Sequence, residues 1–242
     1  MTHSTVARHR RCEYLASVTL RSAFVSVTLF LSGAWILRAQ DAGEILQGAR
    51  LTPTLRPAVL SARIRSEEKS SPLRLSLKDH VISYEFTDPT QVILLKLNAE
   101  NTKLLETKDG KTLPVDSSHL HDQVRDTGVS YQDLSLGFLY WPRPILRGEE
   151  IVKTRPCWKI DLQAPSEEPV YGVARVWIDK ESGAILRIEG YDKKGLLLRR
   201  FEIVSAQKIK GLWMLRQMRI ESFVPGNSSP TSRCYLEVLG KE

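Results

Sequence analysis

The sequence predicts a mainly-β domain of the α+β kind built around antiparallel sheet, and three observations predict it. From Ala58 to Leu239 short runs alternate apolar and polar residues at period two, as strands do when one face of a sheet is greasy and the other wet. Turn-forming clusters such as Asp109-Gly110, Lys193-Lys194-Gly195 and Pro225-Gly226-Asn227 separate those runs. Helical periodicity is confined to two short stretches, and 242 residues suit one such domain, since β sandwiches and barrels run to about 200–250 residues.

The first forty residues stand apart. Arg8, Arg10 and Arg11 precede an uncharged stretch from Ser22 to Leu37, and Arg38-Ala39-Gln40 then leads into Asp41. A basic start, an apolar centre and a small residue near the end make a secretory signal over 1–40, cleaved near Ala39, ahead of one domain over 41–242. An uncleaved membrane anchor is the alternative. The uncharged run of 16 residues falls short of the roughly 20 that a spanning helix needs, which favours cleavage. Losing 1–40 removes five Arg and one Glu and takes the formal charge from +7 to +3. The basic character is thus largely the signal's, and no Lys/Arg run interleaved with aromatics points to nucleic acid.

Past the signal, Asp41 can cap a helix over 41–50 whose apolar stripe is Ile45, Leu46 and Ala49, and Pro53 and Pro57 end helical character. Strands follow at 58–65, 73–78, 80–87, 91–97 and 103–107. Residues 114–144 break the alternation. There Ser130 caps a helix over 130–140, Asp133 answers it, and Leu134 and Phe138 form the stripe until Pro142 and Pro144. So long and mixed a connection inside a compact domain reads as a covering element. A second meander then runs through 157–163, 172–179, 186–189, 196–204, 212–224 and 231–239. Cys157 shares its face with Lys159 and Asp161, whereas Cys234 shares its face with Leu236 and Val238. In one sheet the two thiols would point to opposite sides and not pair.

Catalytic chemistry is not written in this sequence. It lacks a nucleophile elbow, a phosphate-cradling glycine loop, H-E-x-x-H and C-x-x-C, so no catalytic residue, cofactor or metal is assigned. His119 and His121 with Asp116 and Asp122 have ligand chemistry, but they sit in a polar, turn-rich loop that solvation explains. Glu149-Glu150 and Glu167-Glu168 read as solvated edges.

The informative quantity is collective. About ten strands each offer several large apolar side chains on one face, and two short helices cover only part of that surface. Either the sheet folds over as a sandwich, or it curls into an open barrel that the helices close over an apolar ligand. Pattern alone leaves both open.

Certain residues resemble a known family. Val129-Ser130-Tyr131-Gln132-Asp133-Leu134, the stretch Gly172 to Asp179 ending Trp-Ile-Asp, Leu186 to Gly195, and Ile209-Lys210-Gly211-Leu212-Trp213-Met214 are similar to the LolA-like outer-membrane lipoprotein-sorting proteins. The resemblance spans about 41–242 and is strongest after Ser130. It implies an open antiparallel barrel or half-barrel of about ten strands with short helices as a lid over an apolar cavity. It further implies a monomeric, non-enzymatic periplasmic carrier of lipoprotein acyl chains or other lipid, with no cofactor, passing cargo from an inner-membrane donor complex to an outer-membrane acceptor. An uncleaved leader would instead anchor the carrier to the inner membrane. Residues expected to line the cavity are Leu134, Phe138, Tyr84, Phe86, Trp158, Ile160, Val176, Ile178, Met214 and Met218, methionine being suited to varied apolar shapes. The family holds its lid with an arginine, for which Arg63 and Arg65 are the positions considered. The rival reading is a non-catalytic envelope module whose sheet is packed internally.

Overall fold

Helix α1 (Ala42–Leu51) opens the fold and six strands follow: β1 (Ala58–Arg65), β2 (Ser70–Lys78), β3 (Val81–Thr87), β4 (Thr90–Leu97), β5 (Thr102–Lys108) and β6 (Lys111–Pro114). A long connection carries a 3₁₀ turn (Ser117–His119), the short helix α2 (Tyr131–Ser135) and a second 3₁₀ turn (Gly137–Tyr140). Seven strands complete the chain: β7 (Ile145–Val152), β8 (Arg155–Gln163), β9 (Tyr171–Asp179), β10 (Ile185–Asp192), β11 (Leu197–Ile209), β12 (Leu212–Ser222) and β13 (Ser232–Lys241). The computed structural model describes residues 41–51, 57–209 and 211–241, so the predicted signal over 1–40 lies outside the described residues.

All thirteen strands form one sheet in the order β6-β5-β4-β3-β2-β1-β13-β12-β11-β10-β9-β8-β7. Each half is a meander of antiparallel hairpins, and β1 joins the halves by pairing with β13. The first meander therefore ends at one edge of the sheet and the second begins at the other. The connection over 115–144 has to cross from edge to edge.

That crossing reveals the curvature. Laid flat, β5 and β11 would lie about 34 Å apart, seven strand spacings of about 4.8 Å. Yet Tyr131 reaches Glu106 on β5, and Asp133, on the same helical turn, reaches Arg199 on β11. The sheet is rolled into an open trough, and the connection lies in it.

The inner face carries the apolar half of each alternation. Leu60, Ala62 and Ile64 of β1 are buried, as are Leu73, Leu75 and Leu77 of β2 and Cys234, Leu236 and Val238 of β13. The outer face is held differently, by opposite charges placed directly across strands. Asp161 faces Arg175, Glu237 faces Arg63, and Glu221 faces Arg233. Arg175 Nε donates to Asp161 Oδ1 at 2.6 Å, and Arg63 Nε donates to Glu237 Oε2 at 2.6 Å. A one-residue slip would set charges against apolar residues such as Val176 or Leu236 and turn the apolar set outward, so both faces specify one register.

The two cysteines among the described residues, Cys157 and Cys234, separate as predicted. Cys234 lies in the main core, whereas Cys157 packs with Val152 and Trp177 in a small cluster of its own, and both are free thiols. The open antiparallel sheet that the sequence predicts is borne out, and it does not close into a barrel; among the described residues it has thirteen strands against the expected ten or so. The extra strands β6 and β7 are the two edges, where exposed residues on both faces erase the alternation.

Candidate functional site

The cover over the trough is built from residues 115–144 with α1 beside it. Asp41 starts α1 by accepting the Gly43 N–H at 2.9 Å, and Leu46 and Ala49 are buried by its inward stripe. In the last turn of α1, Arg50 Nε donates to the Leu139 carbonyl at 2.9 Å and its guanidinium lies 4.4 Å from the Tyr140 ring centre. The connection is pinned at its start by Arg125, which donates to the carbonyls of Asp88 and Pro89 in the β3–β4 turn. Gly128 follows with φ +79, a conformation that glycine adopts without strain.

Ser130 and Asp133 form the capping box expected of them. Asp133 N–H donates to Ser130 Oγ at 3.1 Å and Ser130 N–H to Asp133 Oδ2 at 2.8 Å. The helix ends far sooner than the predicted 130–140. Ser135 Oγ donates to the Gln132 carbonyl and accepts the Gly137 N–H, so a side chain competes for groups the helix needs. Leu136 then turns left-handed at φ 51, and the chain resumes as the 3₁₀ turn. A leucine in that conformation is disfavoured and marks a joint in the cover.

Two polar ties hold the cover down. On the β5 side, Tyr131 Oη donates to Glu106 Oε1 at 2.8 Å, and Gln91 Nε2 donates to Tyr131 Oη at 3.1 Å. Burial, then the Glu106 carboxylate, push the Tyr131 phenol well above its ordinary range. On the β11 side, Arg199 forms a fork with Asp133 and also donates to the Gly128 carbonyl at 2.7 Å and to Ser222 Oγ. The two side chains are only 10% and 4% exposed. Burial alone would lower the guanidinium's pKa, but the Asp133 charge outweighs it and keeps Arg199 ionised.

The arginine that fastens the cover here is Arg199, which the sequence analysis did not consider for that role. Arg63 and Arg65, the positions considered for it, both bind Glu237 on the outer face and do not touch the cover. A signal existed: Arg199 and Arg200 are adjacent in a strand, so one of them must share the inner face with Phe201.

The ten predicted lining residues fall as follows. Tyr84, Phe86, Ile160, Val176, Ile178, Leu134 and Phe138 are buried in the main core, and Trp158, Met214 and Met218 are partly buried against it. Beneath the cover there is a void of about 10 Å³, with Phe138, Trp141, Tyr171, Gly190, Arg199 and Phe201 among its walls. That is space for about one water molecule. The crossing segment itself helps fill the trough: Val124, Val129, Tyr131, Leu134, Phe138, Leu139 and Trp141 are all buried in the main core. One polar atom suffers for it. Tyr140 Oη is enclosed with no hydrogen-bond partner among the described residues, at a cost of about 1–3 kcal/mol.

The histidines do not converge on a metal geometry. His119 Nδ1 is 2.7 Å from Asp122, Asp116 caps the 3₁₀ turn through Ser118, and His121 lies toward Glu168. Among the described residues no group of three or more His, Cys, Asp or Glu side chains could hold a metal ion.

A family profile described as "Uncharacterized protein" matches residues 89–232, more than half of the chain. The chain belongs to that family. Solved structures supply the fold. A domain from Vibrio parahaemolyticus, assigned as an outer membrane lipoprotein-sorting protein, superposes with a TM-score of 0.65 at 15% identity, covering 84% of this chain and 93% of that one. A DUF1329 family protein from Desulfovibrio piger gives 0.59 at 17% identity, with coverage of 81% and 89%. A LolA superfamily protein from Nitrosomonas europaea gives 0.58 at 18%, with coverage of 83% and 92%. No curated protein matches the chain. This is a LolA-like fold carried by a divergent sequence, as the resemblance implied. In this LolA-like fold the crossing segment covers the trough.

Proposed function

We propose that this chain is an exported, non-enzymatic carrier that holds the acyl chains of lipoproteins or other lipids in its trough and takes them toward the outer membrane. The observation that carries this reading is the cover. An apolar trough is filled by a jointed segment of the same chain, fastened by the Asp133–Arg199 tie. A cover meant only to complete a core has no need of a buried charge pair, which apolar side chains can replace without loss.

Cargo and cover compete for one surface. Burying about ten methylenes is worth about 8 kcal/mol at about 0.8 kcal/mol each, which corresponds to a micromolar Kd. Displacing Leu134, Phe138 and the tie subtracts from that gain. Binding is then moderate, and release to an acceptor is feasible. The signal over 1–40, cleaved near Ala39, delivers the domain to the periplasm in this reading, and among the described residues no helix is long and apolar enough to cross a membrane. An inner-membrane donor and an outer-membrane acceptor complete the route, with the carrier a monomer.

The test is lipid extraction and mass spectrometry of the protein purified from cell envelopes under mild conditions. Stoichiometric co-purifying acyl lipid supports the carrier. The small void favours a second reading, an internally packed envelope module that binds another protein. Lipid-free protein bound to a protein partner would select that reading.

A further inference from the structure

The sheet does not end evenly. β11 and β12 are the longest strands, at 13 and 11 residues. β10 accompanies β11 only as far as Glu202, and β13 accompanies β12 only from Gln217 onward. Beyond those points the hairpin continues as a two-stranded arm, Ala206 to Ile209 paired with Leu215 to Leu212. Trp213 near its tip is 70% exposed, and Leu239, on the neighbouring end of β13, is 58% exposed.

The charge of the arm is one-sided. Between Glu202 and Glu221 the sequence has no acidic residue, but it has Lys208, Lys210, Arg216 and Arg219. Arg219 is tied to Glu202 and Glu221. Lys208 and Arg216 point to solvent, and Lys208 Nζ lies 5.1 Å from the Trp213 ring centre. Where β12 parts from β13, an open cleft of about 430 Å³ is lined by Arg63, Ser205, Arg216 and Leu239 among others.

We infer that this arm docks on an anionic lipid bilayer, with Trp213 and Leu239 in the headgroup region and Lys208 and Arg216 on the phosphates. Indole, apolar over most of its surface with one polar N–H, suits that boundary, and basic side chains beside it complement a negative membrane surface. Behind the tip, Met214, Leu215 and Met218 pack against the core of the trough, so the arm joins the bilayer surface to the apolar interior. This inference rests on the carrier reading and names the surface at which cargo is exchanged.

The test is vesicle flotation with the protein expressed from Met1, so that the cell processes its own leader. Vesicles are phosphatidylcholine alone or phosphatidylcholine mixed with phosphatidylglycerol. Wild type is expected to float with the mixed vesicles at low salt, with a blue shift in tryptophan emission, and to be released as salt screens the charges. Each basic side chain near an anionic surface contributes about a fivefold factor, so K208E/R216E should weaken binding more than tenfold. W213S should do the same and abolish the blue shift, while K193E/K194E, an equal charge change in the β10–β11 turn, should bind as wild type does. The inference is overturned if wild type ignores mixed vesicles, if W213S binds unchanged, or if K193E/K194E weakens binding equally. Uptake of a fluorescent fatty acid without vesicles separates the two claims: W213S should retain it, and its absence in wild type would sink the carrier reading instead.

Discussion

Replacing Arg199 by methionine keeps most of the volume and removes the charge. Asp133 would then be left buried, holding the Ser130 N–H but without the guanidinium. Breaking one side of a buried, hydrogen-bonded pair costs about 3–5 kcal/mol, and here the Gly128 carbonyl and Ser222 hydroxyl also lose a donor. If the cover is a unit that opens separately, that cost falls on the segment from Gly128 to Trp141 and raises its open population by about two to three and a half powers of ten. Hydrogen–deuterium exchange reads this directly. Amides of 128–141 should exchange faster by that factor in R199M, while β8 and β9, paired along their length, keep wild-type protection. The double variant R199M/D133L should recover part of the loss, since an apolar pair leaves no buried charge. Equal acceleration in the cover and in β8–β9 would refute the reasoning, because Arg199 would then support the whole fold and fasten no lid.

Other outcomes follow from the same geometry. Phe138→Ala removes a ring whose centre lies 5.9 Å from that of Phe201, beside the existing void; it should cost about 3–5 kcal/mol in chemical denaturation and leave a cavity that small apolar molecules occupy. Gly172→Ala should lower Tm sharply in thermal melts, since a Cβ there would come within 2.8 Å of the Asp192 carbonyl and 2.9 Å of the Lys193 backbone. Burial would raise the pKa of Asp161 and of Glu237, but bonds from Arg175 and Arg147, and from Arg63, Gln217 and Arg65, hold both below the ordinary carboxylate range. Folded values below unfolded ones add stability that is full above about pH 5 and lost as pH falls further, so Tm measured against pH should drop there. Burial pushes the Cys234 thiol up to about 11 and raises that of Cys157, so native protein should resist alkylation at neutral pH and be labelled at both positions once unfolded.

The meanders were legible because burial on one face imposes alternation, and that pattern also put Cys157 and Cys234 on opposite sides. The capping box at Ser130 and Asp133 was legible because it is local. Edge strands β6 and β7 were not, since a strand wet on both faces has no period to read. The joint at Leu136 depends on a serine side chain competing with the backbone, an outcome that helical periodicity does not encode. Arg199 was hidden for another reason: its partner is 66 residues away in sequence, and only the edge-to-edge crossing brings the two together. That crossing also explains why a count of helices underestimated the cover, because the stretch from Val124 to Trp141, with only the short α2 and one 3₁₀ turn in it, fills the trough as well as a long helix would.

One measurement bears most directly on whether that segment is a lid. Amide exchange across 124–141 should be followed while a long-chain acyl ligand is titrated into lipid-free protein. Displacement by cargo predicts saturable loss of protection in the segment, with the strands of the trough protected as before or better. Ligand that leaves those amides unchanged, or that never binds, would contradict a carrier and leave a closed, self-packed sheet.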